Sequence, residues 1–586
     1  MKKTVISLVL TGIALTSCNS LFRDKPNNSL AENLIWDNEM LVDEYVLPWY
    51  RNMDPGFYVF VTTIMKGLGT EYLPWYGDQL TVGRRDWYQG DYGLLLKSSQ
   101  QDITTRGRTR WINYYTQIAS INKLLANEDL LPQRIKNRVL GEAHFFRAYY
   151  YYMLLQYYGG PLLIDHVFDP LVKPEQFPRA SYEQMVQFIT GEADIAASLL
   201  SKENTSDNVG RPTIGTALML KAKTYFWVAG EHFQNAEKPW LGFPDNRTEE
   251  MLDKAYDTYQ EIIDLNVYRL VDIPATTRDE VVAAYRNIFL TKNSCESIWE
   301  VQHSDDGNFD GENGHKLDRY AAPPSMTGTY CAFNPTQNHV DEYRMENGMR
   351  ITDAGSGYDK KNPFEGRDWR FYANILYDGS TWKGHIMDIH YNKVGTTEVA
   401  GEDLTAYGES TSASTTRTGY YMAKFLRESQ SIDYDETYGS SQNCILWRYA
   451  ELLLDMAEID IVKNREEAAR EKVNKIRRRV HMPELTHVTW DDVYNERRVE
   501  LAFEKTSYWD LLRWNVAEDR MTGDTNPLFG IKIVISSSGY KTITNPVVNG
   551  RNANVRYFRP RQYYWPICWD DVRYHEIEQN PEWVEM

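Results

Sequence analysis

Between Val139 and Tyr157, the residues Val139, Ala143, Phe146, Tyr150, Met153 and Tyr157 recur at alternating spacings of four and three. Side chains so spaced line one face of a 3.6-residue turn, and the pattern predicts an amphipathic helix. Gly159-Gly160-Pro161 should end it, because glycine accepts positive φ and proline cannot continue the hydrogen-bond ladder. Upstream, residues 111–126 carry Trp111, Tyr115, Ile118 and Ile121/Asn122 at similar spacing, with Pro132 between the two segments. Together they predict a helical hairpin. The pattern returns at 181–200 followed by 213–233, at 249–265, and at 447–462 followed by 466–480. In the 447–462 segment the expected stripe is Trp447, Ala450, Leu454, Ala457 and Ile461.

Repeated amphipathic pairs of about 34 residues predict a mainly α scaffold of tetratricopeptide-like hairpins. The pairs are degenerate and not contiguous, so a non-repetitive helical domain is the alternative. Two stretches, 54–93 and 267–443, break the helical texture with Gly, Asn, Asp, Pro and aromatic residues. Loops of that length in a compact protein are usually functional. A Ser/Thr tract at 410–418 reads as a mobile loop, and residues 517–586 read as irregular, with an aromatic cluster at Tyr563-Tyr564-Trp565-Pro566.

The amino terminus changes the picture. Lys2 and Lys3 precede an apolar run of eleven residues, Val5 to Leu15, and then Thr16-Ser17-Cys18. Such a run is too short for a bilayer, which needs about 20 residues. The small residues before the Cys suit cleavage, so residues 1–17 are expected to be a lipoprotein signal peptide and Cys18 the lipidated residue. Residues 18–30, with Pro26, Asn27 and Asn28, read as a flexible tether.

The 586 residues are 42% hydrophobic and 25% charged, a globular composition. A mean hydropathy of -0.56 excludes a polytopic membrane protein. Lys and Arg number 64 against 82 Asp and Glu; loss of Lys2 and Lys3 with the signal would take the net charge from -18 to -20. That balance argues against nucleic-acid binding, which rests on excess Lys and Arg, and favours neutral or cationic ligands. Cys295, Cys331, Cys444 and Cys568 form no CxxC pair, leaving either two disulfides or four free thiols. The aromatic fraction of 13%, with 17 Trp and 41 Tyr, exceeds what core filling requires.

Four stretches resemble the SusD/RagB family of surface nutrient-binding lipoproteins of Bacteroidetes. They are Trp111-Ile112-Asn113-Tyr114-Tyr115 with Ile118 and Asn122, and Glu142-Ala143-His144-Phe145-Phe146-Arg147-Ala148-Tyr149-Tyr150 leading to Gly159-Gly160-Pro161. The others are Arg448-Tyr449-Ala450-Glu451 with Ala457-Glu458, and Glu496-Arg497-Arg498-Val499-Glu500 through Asp510-Leu511-Leu512-Arg513-Trp514. The resemblance implies one SusD-like domain over residues 31–586. Its helical scaffold would lie at about 101–265 and 447–514, its loop-rich ligand-binding insertion at about 267–446, and an irregular C-terminal region at 515–586. It also implies a protein lipid-anchored to the outer membrane, facing the exterior, and partnered with a SusC-like TonB-dependent transporter. Such proteins capture oligosaccharides or, in the RagB branch, peptides. Acidic residues after the anchor Cys often mark surface export, and here only Asp24 follows, after Arg23.

Several candidate chemistries compete. Glu496, Glu500 and Glu504 share a helical face at a spacing that fits the roughly 5–9.5 Å of glycosidase carboxylates. With Arg497, Arg498 and Arg513 near in sequence, an ion-pair network between helices is the simpler reading, and the protein is expected not to be an enzyme. Glu451, Asp455 and Glu458 read as a solvated or paired stripe. Asp306, Asn308 and Asp310 with Gly311 match half of a calcium loop, but Leu317 replaces the bidentate Glu, so a polar surface loop is expected. His385, Asp388 and His390 match no zinc spacing and read as exposed polar residues. No nucleotide motif, nucleophile elbow or cofactor is expected.

The loop aromatics are more informative. Trp75, Tyr76, Trp87, Tyr88 and Tyr92 are interleaved with Asp78, Arg84, Arg85 and Asp86; Phe309, Tyr320, Tyr330, Tyr343, Trp369, Tyr372, Tyr377, Trp382 and Tyr391 accompany Asn308, Asn313, Arg319 and Arg344. Sugar C–H faces stack on rings while hydroxyl edges need polar partners, so some of these rings should form a glycan platform. Others would only hold the loops down. By analogy with the family, ligand contacts come from the first loop and from the insertion after Ser297-Ile298-Trp299-Glu300. That singles out Trp87, Tyr92 and Tyr320, then Trp75, Asp78, Arg84, Asn308 and Tyr330. The competing functions are peptide capture, a secreted glycoside hydrolase, and a tetratricopeptide scaffold that binds only proteins.

Overall fold

A computed structural model describes residues 35–53, 57, 80–81, 100–169, 175–304, 314–315, 317–326, 331, 333–405, 415–428, 440–522, 525–548 and 558–584. The chain is mainly helical. Helices α1 (Glu39–Arg51), α2 (Gln100–Leu125), α3 (Gln133–Tyr158), α4 (Tyr182–Leu199), α5 (Ile214–Val228) and α6 (Thr248–Asp264) build the first part of the scaffold. From α2 to α6 each helix packs against the next. Local sequence sets their ends. Ser181 and Gln184 form a reciprocal capping box at the start of α4, and Thr213 and Thr216 do the same for α5. The Gly159-Gly160 stop is observed: Gly159 has φ +72°, and a Cβ at Gly160 would lie 1.9 Å from the Ala180 carbonyl oxygen.

Helix α3 departs from the expected single apolar face. From Phe145 to Tyr158 every residue is buried, because α1, α2, α4, α5 and the carboxyl-terminal segment all approach it. Its tyrosines make this possible by burying rings while their hydroxyls find partners. Tyr150 donates to the Trp49 carbonyl at 2.6 Å, and Tyr151 donates to that of Ile164 at 2.9 Å. Part of the aromatic excess is therefore structural.

Helix α7 (Arg278–Ile288) corrects the sequence reading, which placed this segment in loop. Its Val281, Tyr285 and Ile288 are buried in a second core that belongs to the insertion. Strand β1 (Ser297–Val301) follows; then come the short helix α8 (Trp369–Asn374) and strands β2 (Tyr391–Val394), β3 (Thr397–Ala400) and β4 (Cys444–Arg448). β4 pairs antiparallel with β1, Trp447 opposite Trp299. Trp447 is thus a strand residue and not the first position of the expected helical stripe, since α9 (Tyr449–Val462) begins two residues later. Helices α10 (Glu466–Arg479), α11 (Trp490–Glu500) and α12 (Thr506–Arg513) complete the scaffold.

The carboxyl-terminal region is more ordered than expected. Its hairpin β5 (Lys532–Ile535) and β6 (Lys541–Thr544) joins the insertion, giving a sheet of order β6-β5-β2-β3 in which β5 runs parallel to β2. Helix α13 (Trp569–His575) and the Tyr563–Trp565 cluster return to the scaffold: Trp565 packs 4.9 Å from Tyr157, and Tyr563 stacks on His232 at 3.6 Å. Cys295, Cys331, Cys444 and Cys568 are free thiols. Among the described residues no helix is long and apolar enough to cross a membrane.

Candidate ligand-binding site

Residues from three parts of the chain meet at one place. Phe57 packs against His315 at 4.8 Å and against Phe425 at 5.2 Å. His315 and Ser440 exchange backbone hydrogen bonds of 2.9 and 2.6 Å. Asp318 fastens the same region, accepting from Ser440 Oγ at 2.7 Å and from Arg427 Nε at 3.0 Å. Farther on, Leu80 and Thr81 pair with Pro335 and Asn334. The first loop is therefore anchored twice to the insertion.

Most of the residues expected to bind ligand lie outside the described residues: Trp75, Asp78, Arg84, Trp87, Tyr92, Asn308 and Tyr330, as do Cys18, Asp306 and Asp310. Tyr320 is carried by the short helix Leu317–Ala321. Other loop aromatics turn inward. Tyr343 and Trp382 are fully buried, Tyr372 donates its hydroxyl to the Phe364 carbonyl at 2.7 Å, and Tyr377 stacks on Phe371 at 5.0 Å. Arg344, read as a polar partner of the rings, is buried against Asp492 at 2.6 Å.

A cavity of about 120 Å³ lies between α3, α5, α12 and β4, with Phe57 and Phe425 on its wall. Tyr149, Tyr152, Tyr157, Trp447 and Trp509 line it together with Gln156, Lys223, Glu451, Lys505 and Arg513. Sites that enclose small molecules span roughly 300–1,000 Å³. This one is too small to enclose an oligosaccharide. The sequence reading missed it because Tyr149, Tyr152, Tyr157 and Trp509 sit at helix positions indistinguishable from core.

The Glu496, Glu500 and Glu504 carboxylates are ion-paired, but not with the partners that sequence proximity suggested. Glu500 receives Arg448 at 2.9 Å, Arg370 at 3.1 Å and also Arg479. Glu504 holds Arg448 at 2.6 Å and Lys424 at 2.7 Å, and Glu496 holds Arg477 at 3.0 Å. Glu296 joins through Arg448 at 2.7 Å and Arg479 at 2.6 Å. Arg497, one residue after Glu496, is turned about 100° around α11 and binds Asp510 at 2.7 Å and also Asp455. Arg513 pairs with Glu458 and Asp510, and Arg498 with Glu342. The Glu451, Asp455 and Glu458 stripe is buried and paired.

Electrostatics follow from this wiring. Burial pushes the Glu500 carboxyl up, yet Arg479, Arg448 and Arg370 outweigh it and hold it well below the usual carboxylate range. Burial depresses Lys424 to about 8 despite Glu504, with Arg448 adding to the effect. In Glu142 burial wins over Arg211 and Arg138, and its carboxyl is raised. The stretches that carry the family resemblance are thus mostly wiring: Arg147 grips Glu192 through two bonds of 2.7 Å and reaches Asn122 at 2.9 Å.

The His385, Asp388, His390 group is rearranged. His385 Nε2 pairs with Asp403 at 2.9 Å, while His390 Nδ1 lies 2.7 Å from Asp378 Oδ1 and 3.2 Å from Asp388 Oδ1. Asp378, Asp388 and His390 are close enough for one cation.

With this geometry in hand, comparison with known proteins identifies the class. Residues 295–583 match the SusD family model, and residues 78–234 match a model described as starch-binding associating with outer membrane. The chain belongs to the SusD/RagB family. A SusD-like protein of Formosa agariphila is 21% identical over 553 residues, covering 91% of this chain and 94% of that one. A SusD-like protein of Bacteroides fragilis superposes with a TM-score of 0.70 at 24% identity, covering 95% of this chain and 100% of the other. A SusD-like carbohydrate binding protein of the same species gives 0.67 at 19% identity, covering 92% and 99%. The fold is the mainly α SusD-like fold.

Proposed function

We propose that this protein is a non-catalytic, lipid-anchored glycan-binding protein that takes up oligosaccharide or polysaccharide at the outer membrane and delivers it to a SusC-like TonB-dependent transporter. The observation that carries the reading is the convergence of loop anchors at Phe57, His315, Phe425 and Ser440. Along the sequence, the first loop holds Trp75, Asp78, Arg84, Trp87 and Tyr92, and the insertion holds Asn308, Tyr320 and Tyr330. Stacking rings from both segments, with Asp, Asn and Arg between them, would make an open platform for sugar faces. Family membership and a relative named for carbohydrate binding support the ligand class. The acid-rich composition favours neutral glycans over polyanionic ones. Glu496 and Glu500 on α11, and Glu504 in the turn beyond its end, are engaged in ion pairs, which removes the carboxylate pair a glycosidase reading would use.

Affinity electrophoresis of the protein against neutral and acidic polysaccharides tests the reading. A neutral glycan should retard the wild type. Trp87→Ala and Tyr320→Ala should each weaken retardation, by about 1 kcal/mol or more per lost ring contact, without lowering Tm. Retardation by no polysaccharide, together with calorimetric binding of a peptide, would replace glycan by peptide capture. Unchanged affinity in both variants would remove this placement of the platform. Cys18→Ala should move the protein from the membrane to the soluble fraction.

A further inference from the structure

Asp378, Asp388 and His390 meet where a hairpin of the insertion returns into β2, and one donor atom from each lies within 4.8 Å of the other two. His390 Nδ1 stands 2.7 Å from Asp378 Oδ1 and 3.2 Å from Asp388 Oδ1. Donors held at about 2.0–2.2 Å from one ion are roughly 3 Å apart, so the spacing suits shared coordination.

Two further observations separate this group from an ordinary ion pair. Asp388 Oδ1 is shielded from solvent and has no hydrogen-bond partner, because the Nδ1 of His390 is directed to Asp378. The other Asp388 oxygen is occupied, accepting the Glu402 N–H at 3.1 Å. A shielded carboxylate oxygen without a donor is costly unless a cation meets it. Gly401 closes over the same oxygen: a Cβ there would stand 2.0 Å from Asp388 Oδ1. Behind the group, the fully buried Asp403 accepts the Asp388 N–H at 2.8 Å and fixes the backbone that presents it.

We propose that Asp378, Asp388 and His390 bind a divalent transition-metal ion of the zinc class, clamping the two ends of the 378–390 hairpin. An imidazole nitrogen among the donors favours zinc, cobalt or nickel over calcium and magnesium, which take oxygen ligands. The ion takes the place of the hydrogen between His390 Nδ1 and Asp378, and the neutral imidazole then carries its hydrogen on Nε2. The sequence could not announce this site, because Asp378 lies in a separate turn and His385, the histidine nearer in sequence, pairs with Asp403 instead.

The full chain, stripped with EDTA, is titrated with ZnCl2 by calorimetry near neutral pH while melting is followed in parallel. One site per chain and a rise in Tm are expected. His390→Gln and Asp388→Asn should each weaken that binding by more than about tenfold. Asp388→Asn keeps an acceptor for Glu402, and cooperative melting in EDTA establishes that each variant is folded. His385→Gln, which touches Asp403 instead, should bind zinc as the wild type does. The proposal is overturned by absence of stoichiometric zinc binding, by binding that survives both substitutions, or by CaCl2 producing the same residue-dependent binding where ZnCl2 does not.

Discussion

At the seam between scaffold and insertion, Glu296, Glu496, Glu500, Glu504 and Asp368 face Arg370, Arg448, Arg477, Arg479 and Lys424, with side chains almost wholly removed from solvent. On the surface of the insertion, Asp378 and Asp388 share one imidazole. The first cluster is charge-balanced, and its carboxylates are spent on four guanidinium groups and one ammonium drawn from four separate segments. The second leaves one shielded oxygen unanswered. Carboxylates at helical spacing resemble a catalytic pair on paper, yet the crowded cluster is mechanical and the sparse one is open to a ligand. What decides is the count of opposing charges within reach, not the count of acids.

The comparison breaks first at Glu500. Glu500→Gln leaves Arg370, Arg448 and Arg479 buried around a neutral amide, and should cost about 3–5 kcal/mol in urea denaturation at neutral pH. The pH dependence has a definite sign. Because the native carboxyl is held below its unfolded value of 4.5, its contribution is complete above that value and is lost as pH falls through the native one. The gap between wild type and variant should therefore narrow on acidification. A gap under about 1 kcal/mol at neutral pH would mean that the network does not hold the seam.

Lys424→Met probes the weakest cation of the same network. Burial lowers the native ammonium to about 8 from 10.5, so between those values the unfolded chain holds a proton that the native state has released. Wild-type stability should gain on the order of 1–3 kcal/mol from this group as pH rises through that window. The variant should lack that rise. Parallel stability curves for the two proteins would show that Lys424 titrates normally.

Much of the scaffold was legible because its information is local. A four-three spacing, a capping serine and a Gly-Gly-Pro stop act within one helix, and α3, α4 and α5 form where those signals stand. That Glu496, Glu500 and Glu504 would be paired was also legible from the arginines around them. The identity of the partners was not: Arg370 reaches Glu500 across 130 residues of sequence, and Glu296 reaches Arg448 across 152. The β5–β6 hairpin was hidden for the same reason, since its partner β2 lies in the insertion. Of the loop aromatics, Tyr343 and Trp382 proved to be core, because composition shows that a ring is present but not which way it turns. Trp87 and Tyr320 rest on the proposed platform and its binding experiment.

The smallest expected effect sharpens the comparison most. In EDTA, Asp388→Asn should stabilise by about 1 kcal/mol, the low end of the cost of a shielded polar atom left unpaired. The amide also removes one of two neighbouring negative charges. With zinc at 100 times its wild-type dissociation constant the wild type should gain about 2.7 kcal/mol by mass action, and the variant, bound more than about tenfold more weakly, about 1.4 kcal/mol or less. The sign of the substitution then depends on the metal. At Glu500 the loss should be the same with and without it, because the arginines already supply the countercharge that the surface cluster obtains only from an ion.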